Sequence, residues 1–74
     1  MSERTGNLPV LPSGWDWCWS DLHEVGAADA FGNEIKLTAT RTGAARIDIA
    51  QCAPDAVVDL VLARWRSLRD GGTP

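Results

Sequence analysis

The sequence predicts a small α+β domain: a four-stranded antiparallel meander covered on one face by a C-terminal helix. Three observations indicate this fold. Short alternating segments separated by turn residues follow one another over residues 15–50. A proline-initiated amphipathic segment follows them. A sheet with one apolar face needs a cover, and this segment is the only candidate. With 74 residues, the chain is expected to bury one core at most.

The chain is expected to divide into a flexible arm over residues 1–12, a single domain over 13–70 and a disordered tail over 71–74. The arm mixes polar residues, glycine and two prolines, and the tail contains two glycines. Three apolar residues of the arm are candidates to pack against the domain or against a partner: Leu8, Val10 and Leu11.

Four segments with strand-like alternation are separated by turn signals. We expect strands over Trp15–Ser20, Glu24–Ala30, Glu34–Arg41 and Ala45–Ala50. The first hairpin is expected to turn near Asp21 and Leu22. Gly32-Asn33 suits a two-residue turn in the second hairpin, and Thr42-Gly43-Ala44 provides a glycine for the third.

Tryptophan dominates the first strand, where Trp15, Trp17 and Trp19 alternate. Successive side chains of a strand point to opposite faces, so these indoles should form one row. The proposed turns pair Ala28 with Leu37 and Leu37 with Ile49. The resulting apolar face collects Trp15, Trp17, Trp19, Gly26, Ala28, Ala30, Ile35, Leu37, Ala39, Ile47 and Ile49. The opposite face is predicted to be mostly polar, with Val25 and Ala27 among its residues.

The helix is predicted over residues 54–69, with Pro54 at the first helical position. Carboxylates lie early in this segment and arginines lie late, which complements the helix dipole. A broad apolar stripe faces the sheet and comprises Val57, Val58, Val61, Leu62, Trp65 and Leu68.

Composition argues against several classes of function. The net charge is −3, from 10 acidic and 7 basic residues, so the basic excess typical of phosphate binders is missing. The sequence contains neither a phosphate-binding loop nor a recognisable catalytic grouping. One histidine and two cysteines are too few for a metal site. We therefore expect no enzyme activity, no cofactor and no small-molecule substrate.

The sequence also predicts the cellular location of the protein. Pro9 and Pro12 break the first apolar stretch, so no signal peptide is indicated, and no apolar run is long enough to span a membrane. The expected location is the cytoplasm.

The remaining interpretation is a protein-binding module that contacts a host protein or a second copy of itself. The polar sheet face or an exposed sheet edge would form the contact, with the arm adding onto that edge. Tryptophan is enriched at such contacts. The candidate contact residues are Leu8, Val10, Leu11, Trp15, Trp19, Lys36, Thr38, Arg41 and Arg46. The alternative is a nucleic-acid-binding domain that uses the polar sheet face through Lys36, Thr38, Thr40, Arg41 and Arg46.

Three short motifs support a resemblance. Leu11-Pro12-Ser13-Gly14-Trp15-Asp16-Trp17, the turn and strand Phe31-Gly32-Asn33-Glu34-Ile35-Lys36-Leu37, and the helix start Ala53-Pro54-Asp55-Ala56-Val57-Val58 resemble small orphan proteins of actinobacterial phages and prophages. The resemblance implies a phage origin and either a role directed at the host or an accessory role. The chain also resembles the sheet-plus-helix arm-binding domains of phage integrases, but it departs from them in lacking a basic face.

Overall fold

The computed structural model describes residues 8–69 and confirms the ββββα architecture. The elements are β1 (Trp15–Ser20), β2 (Glu24–Asp29), β3 (Glu34–Ala39), β4 (Ala45–Ala50) and the helix α1 (Asp55–Arg69). The strands are antiparallel neighbours in chain order, so β1 and β4 form the two edges. The predicted tail over 71–74 and most of the predicted arm, residues 1–7, lie outside the described residues.

The turn between β2 and β3 differs from the predicted two-residue turn. It contains three residues, 30–32, and ends with Gly32 at φ 89°. The Asp29 amide donates to the Asn33 carbonyl at 3.0 Å. Asp29 Oδ1 also accepts from the amide of Phe31 at 2.8 Å. Three-residue hairpins commonly place a glycine at this left-handed position, and the turn therefore ends β2 one residue early.

This turn changes which residues of β2 face the helix. Val25 lies opposite Leu37 and Ala27 lies opposite Ile35, whereas the predicted register put Ala28 opposite Leu37. An odd shift in register exchanges the two faces of a strand. The prediction that Gly26, Ala28 and Ala30 face the core is therefore wrong. The buried core consists of Val25, Ala27, Ile35, Leu37, Val57, Val61 and Trp65.

A β-bulge in β1 divides the tryptophan row. Trp17 lies opposite Ala27, but Trp19 lies opposite Gly26, because the register shifts at Cys18. Trp15 and Trp17 are partly buried against the core, as predicted, and Trp17 Nε1 donates to the Pro9 carbonyl at 2.9 Å. Trp19 belongs to the face opposite the helix, which we call the outer face. The prediction of one continuous row is wrong at this residue.

The turn between β3 and β4 repeats the three-residue form. Its residues are 41–43, Gly43 has φ 87°, and the Thr40 amide donates to the Ala44 carbonyl at 2.9 Å. β3 therefore ends at Ala39, two residues earlier than predicted. Ile47 pairs with Leu37 and Ile49 with Ile35. This register differs from the predicted one by two residues, which preserves the face, so both isoleucines lie on the helix side as expected.

The helix packs on the two central strands. It begins one residue later than predicted, and the Val58 amide donates to the Pro54 carbonyl at 3.0 Å. At its C-terminal end, Arg64 Nε donates to Ser20 Oγ at 2.8 Å. The Arg69 guanidinium donates to the Leu22 carbonyl and lies 3.8 Å from the centre of the Trp65 ring. These contacts fix the end of the helix to the β1–β2 hairpin.

The Asp29 carboxyl is expected to make an acid-sensitive contribution to the free energy of unfolding. Hydrogen bonds from the Asn33 side chain, and from the amides of Phe31 and Asn33, lower the pKa of the Asp29 carboxyl. A carboxyl group with a lowered pKa stabilises the fold above its unfolded pKa of about 3.9, and this stabilisation is lost as pH falls through the folded pKa. Urea unfolding at pH 6 down to pH 2.5 should show a weaker acid-induced loss in Asp29→Asn than in the wild type. Equal slopes for the two proteins would contradict this role.

Candidate protein-contact surface

Within residues 8–69, β4 presents a regular backbone edge to which no other strand is paired. The Thr40 amide donates to the Ala44 carbonyl, so these two residues form a hydrogen-bonded pair. Hydrogen-bonded and non-hydrogen-bonded pairs alternate along an antiparallel ladder, so the backbones of Arg46 and Asp48 also form hydrogen bonds with β3. The N–H and C=O groups of Ala45, Ile47 and Ile49 therefore point away from the sheet. We call residues 45–50 the β4 edge. A row of unpaired backbone groups of this kind is a template for another strand.

Apolar side chains accompany these unpaired groups. Ile47 is 50% exposed and Ile49 is 49% exposed, while their partners in β3, Leu37 and Ile35, are fully buried. The difference arises because α1 packs on β2 and β3 and leaves the same face of β4 only half covered. Isoleucine side chains next to a free edge form a surface suited to an apolar protein contact.

A third apolar residue lies near the end of this surface. Phe31, in the β2–β3 turn, is largely exposed. The Gln51 side-chain amide donates to the Phe31 carbonyl at 2.8 Å. Gln51 follows β4 directly and adopts a left-handed conformation with φ 65°. The turn that carries Phe31 is thus attached to the C-terminal end of the β4 edge.

The outer face of β4 carries one charge of each sign. Arg46 Nε lies 3.4 Å from Asp48 Oδ2, and both side chains are mostly exposed. Asp48 also lies opposite Lys36 in β3. Lys36 Nζ in turn lies 4.8 Å from the centre of the Trp19 ring, a cation–π contact. The cations in the middle of this face therefore have an acidic or aromatic neighbour.

The opposite edge of the sheet is less suited to strand addition. The bulge at Cys18 interrupts the regular spacing of β1, and bulges are a common means of blunting an edge. Leu11 packs against the core beside Trp15 and Trp17. Among the described strands, β4 is consequently the edge with both a regular backbone and exposed apolar side chains.

The predicted contact residues do not form one site. Leu8 and Leu11 are partly buried near β1, while Val10 is 90% exposed. Trp19 and Lys36 meet in the middle of the outer face, and Thr38 lies opposite Arg46 on that face. Trp15 lies on the helix side, and Arg41 lies in the exposed β3–β4 turn. Of these residues, only Arg46 belongs to the β4 edge.

Sequence reasoning assigned Ile47 and Ile49 to the core and so missed them as surface residues. The signal that could have identified them is geometric. One helix covers about two strands, because helices pack with diameters of about 10 Å and strands lie about 4.8 Å apart. A four-stranded sheet with a single helix therefore leaves part of its apolar face uncovered.

Within residues 8–69, no three side chains among His, Cys, Asp and Glu are grouped to hold a metal ion. Cys18 and Cys52 are both exposed and unbridged. Partial burial, with Glu34 and Asp16 nearby, raises the pKa of the Cys18 thiol. A raised pKa reduces the thiolate fraction that a nucleophile requires.

The chain matches no known family model, and comparisons with curated proteins and with solved structures give no match either. Over residues 8–69, the structure contains no helix that is both long enough and apolar enough to cross a membrane.

Proposed function

We propose that this chain is a small, non-enzymatic protein-binding module whose contact surface is the β4 edge. The observation that carries the proposal is the pair of half-exposed isoleucines on a regular strand whose outward backbone groups have no partner among residues 8–69. Strand addition to such an edge supplies main-chain hydrogen bonds, and alternate side chains supply specificity. The resemblance to phage and prophage proteins supports a cytoplasmic role on a host protein.

The distribution of charge favours this proposal over nucleic-acid binding. Arg46 is paired with Asp48, and Lys36 lies over the Trp19 ring. A phosphate backbone would have to compete with these neighbours, and the net charge of −3 would oppose it. We expect no DNA affinity even at low salt.

Affinity capture with matched baits tests the proposal. The tagged wild type, Ile47→Lys and Val10→Lys would each be incubated with an actinobacterial lysate that also contains the untagged chain. An edge lysine should block strand addition. Val10→Lys is the matched control, since it places the same charge at an exposed apolar position in the segment before β1.

Quantitative mass spectrometry should find at least one protein, a host protein or the chain itself, that wild type and Val10→Lys retain and Ile47→Lys loses. Identical sets of retained proteins for all three baits would overturn the proposal. Circular dichroism of each bait checks that it is folded.

A further inference from the structure

We propose that the partner of the β4 edge is a second copy of this chain, paired antiparallel about a two-fold axis at Ile47. This inference rests on the proposed function, because it names the occupant of the same edge. The sequence of β4 around Ile47 reads Ala45-Arg46-Ile47-Asp48-Ile49. When two copies of this segment pair antiparallel, their charges and side-chain sizes are complementary.

The backbone geometry permits this register. With Ile47 opposite Ile47 of the second copy, Ala45 faces the partner's Ile49 on either side of the axis. These three residues are the ones whose N–H and C=O groups point outward from β4. Each outward group therefore meets an outward group of the other chain. C2 symmetry, the commonest symmetry of homo-oligomers, requires this self-complementarity.

Charge selects the same register. On the outer face, Arg46 lies opposite the partner's Asp48, and Asp48 lies opposite the partner's Arg46. Directly opposed opposite charges stabilise an antiparallel pair, and opposed like charges destabilise it. A shift of the symmetry axis by one residue would place Asp48 against the partner's Asp48, or Arg46 against the partner's Arg46. Only the axis at Ile47 gives two attractive pairs.

The helix side is also complementary in this register. Ile47 meets Ile47 of the second copy, and the large Ile49 meets the small Ala45. The pairing joins the two sheets edge to edge, so both β4 strands come to lie between the two helices. The half of Ile47 that α1 leaves exposed is then covered by Ile47 of the second copy, and the exposed half of Ile49 packs against the partner's Ala45.

A charge-swap experiment tests the register. In the proposed register, position 46 of each copy faces position 48 of the other, so the dimer contains two such pairs. Arg46→Asp alone turns both pairs into opposed aspartates, and Asp48→Arg alone turns both into opposed arginines. Sedimentation velocity of each purified variant, from micromolar to near-millimolar concentration, should show a dimer dissociation constant raised about tenfold or more over the wild type, because two cross-strand pairs change sign at once. An equimolar mixture of the two variants should form a heterodimer, since each aspartate then faces an arginine.

Arg66→Asp and Asp16→Arg are the matched controls. They make the same charge changes at exposed positions outside the β4 edge, and their dimerisation should equal that of the wild type. Circular dichroism confirms that each variant is folded. A monomeric wild type at all concentrations, or a mixture that does not pair, would overturn the inference. Loss of host-protein capture by Ile47→Lys would still support the proposed function in that case, so the two proposals fail separately.

Discussion

Replacing Gly26 by alanine is expected to destabilise the domain by about 2–3 kcal/mol, the upper part of the range of about 1–3 kcal/mol for overpacked interior positions. A Cβ at this position would lie 2.6 Å from the Ile35 carbonyl oxygen and 2.7 Å from Cε3 of Trp19. The carbonyl belongs to the backbone of β3, which cannot move without breaking the ladder. Urea unfolding monitored by circular dichroism measures the loss.

A double-mutant cycle isolates the contribution of the indole. The Gly26→Ala change should cost less in a Trp19→Ala background, because one of the two close contacts is then removed. The difference in cost is expected to be about 1 kcal/mol, within the range for residues in direct contact. Additive effects, or an alanine variant as stable as the wild type, would contradict the placement of Trp19 over Gly26.

Replacing Leu37 by alanine is expected to cost about 3 kcal/mol, because this fully buried side chain lies between the sheet and α1. A domain of this size has a total stability of about 4–11 kcal/mol. The midpoint of thermal unfolding should consequently fall by about 15 °C. Differential scanning calorimetry gives this shift directly.

Ile47→Ala is the matched control, because Ile47 lies opposite Leu37 in the same register and on the same face. Its half-exposed side chain should contribute only about 1 kcal/mol to the stability of a single chain. The measurement belongs at low micromolar concentration, where pairing through β4 is expected to be sparsely populated. Equal losses for the two variants would mean that α1 covers β4 as fully as β3.

The order and type of the elements were predictable from local signals. Two strands were placed correctly at both ends, and Pro54 located the start of the helix to within one residue. The registers were not predictable to the same degree. Gly32 was expected to be the first residue of a two-residue turn, whereas it is the last residue of a three-residue turn. The Asp29 carboxylate stabilises this turn by accepting a hydrogen bond from the Phe31 amide. That single residue of turn length decided which face of β2 became the core.

The bulge at Cys18 was the second feature that the alternating pattern concealed. A period of two predicts one row for the three indoles, but an extra residue in β1 places Trp19 on the other face. No local propensity distinguishes these arrangements. The close fit of an indole over Gly26, with Lys36 above it, is a tertiary feature that involves three strands.

The contact surface could not be predicted from the alternation of apolar and polar residues. Ile47 and Ile49 have the pattern of core residues, and the sheet does place them on the apolar face. Their exposure follows from the position of α1 over β2 and β3. Arg46 was identified from the sequence, but for its charge alone. Its position beside Asp48 on a free edge gives it a specific role in the proposed contact.

Amide hydrogen exchange along β4 tests most directly whether this edge is a contact surface. Arg46 and Asp48 donate their amides to β3, so they should be protected at every protein concentration. We expect Ile47 and Ile49 to exchange rapidly in dilute protein and to become protected as concentration rises. Rapid exchange of both isoleucine amides at all concentrations, also in the presence of any captured partner, would show that the edge remains free and would contradict the proposal.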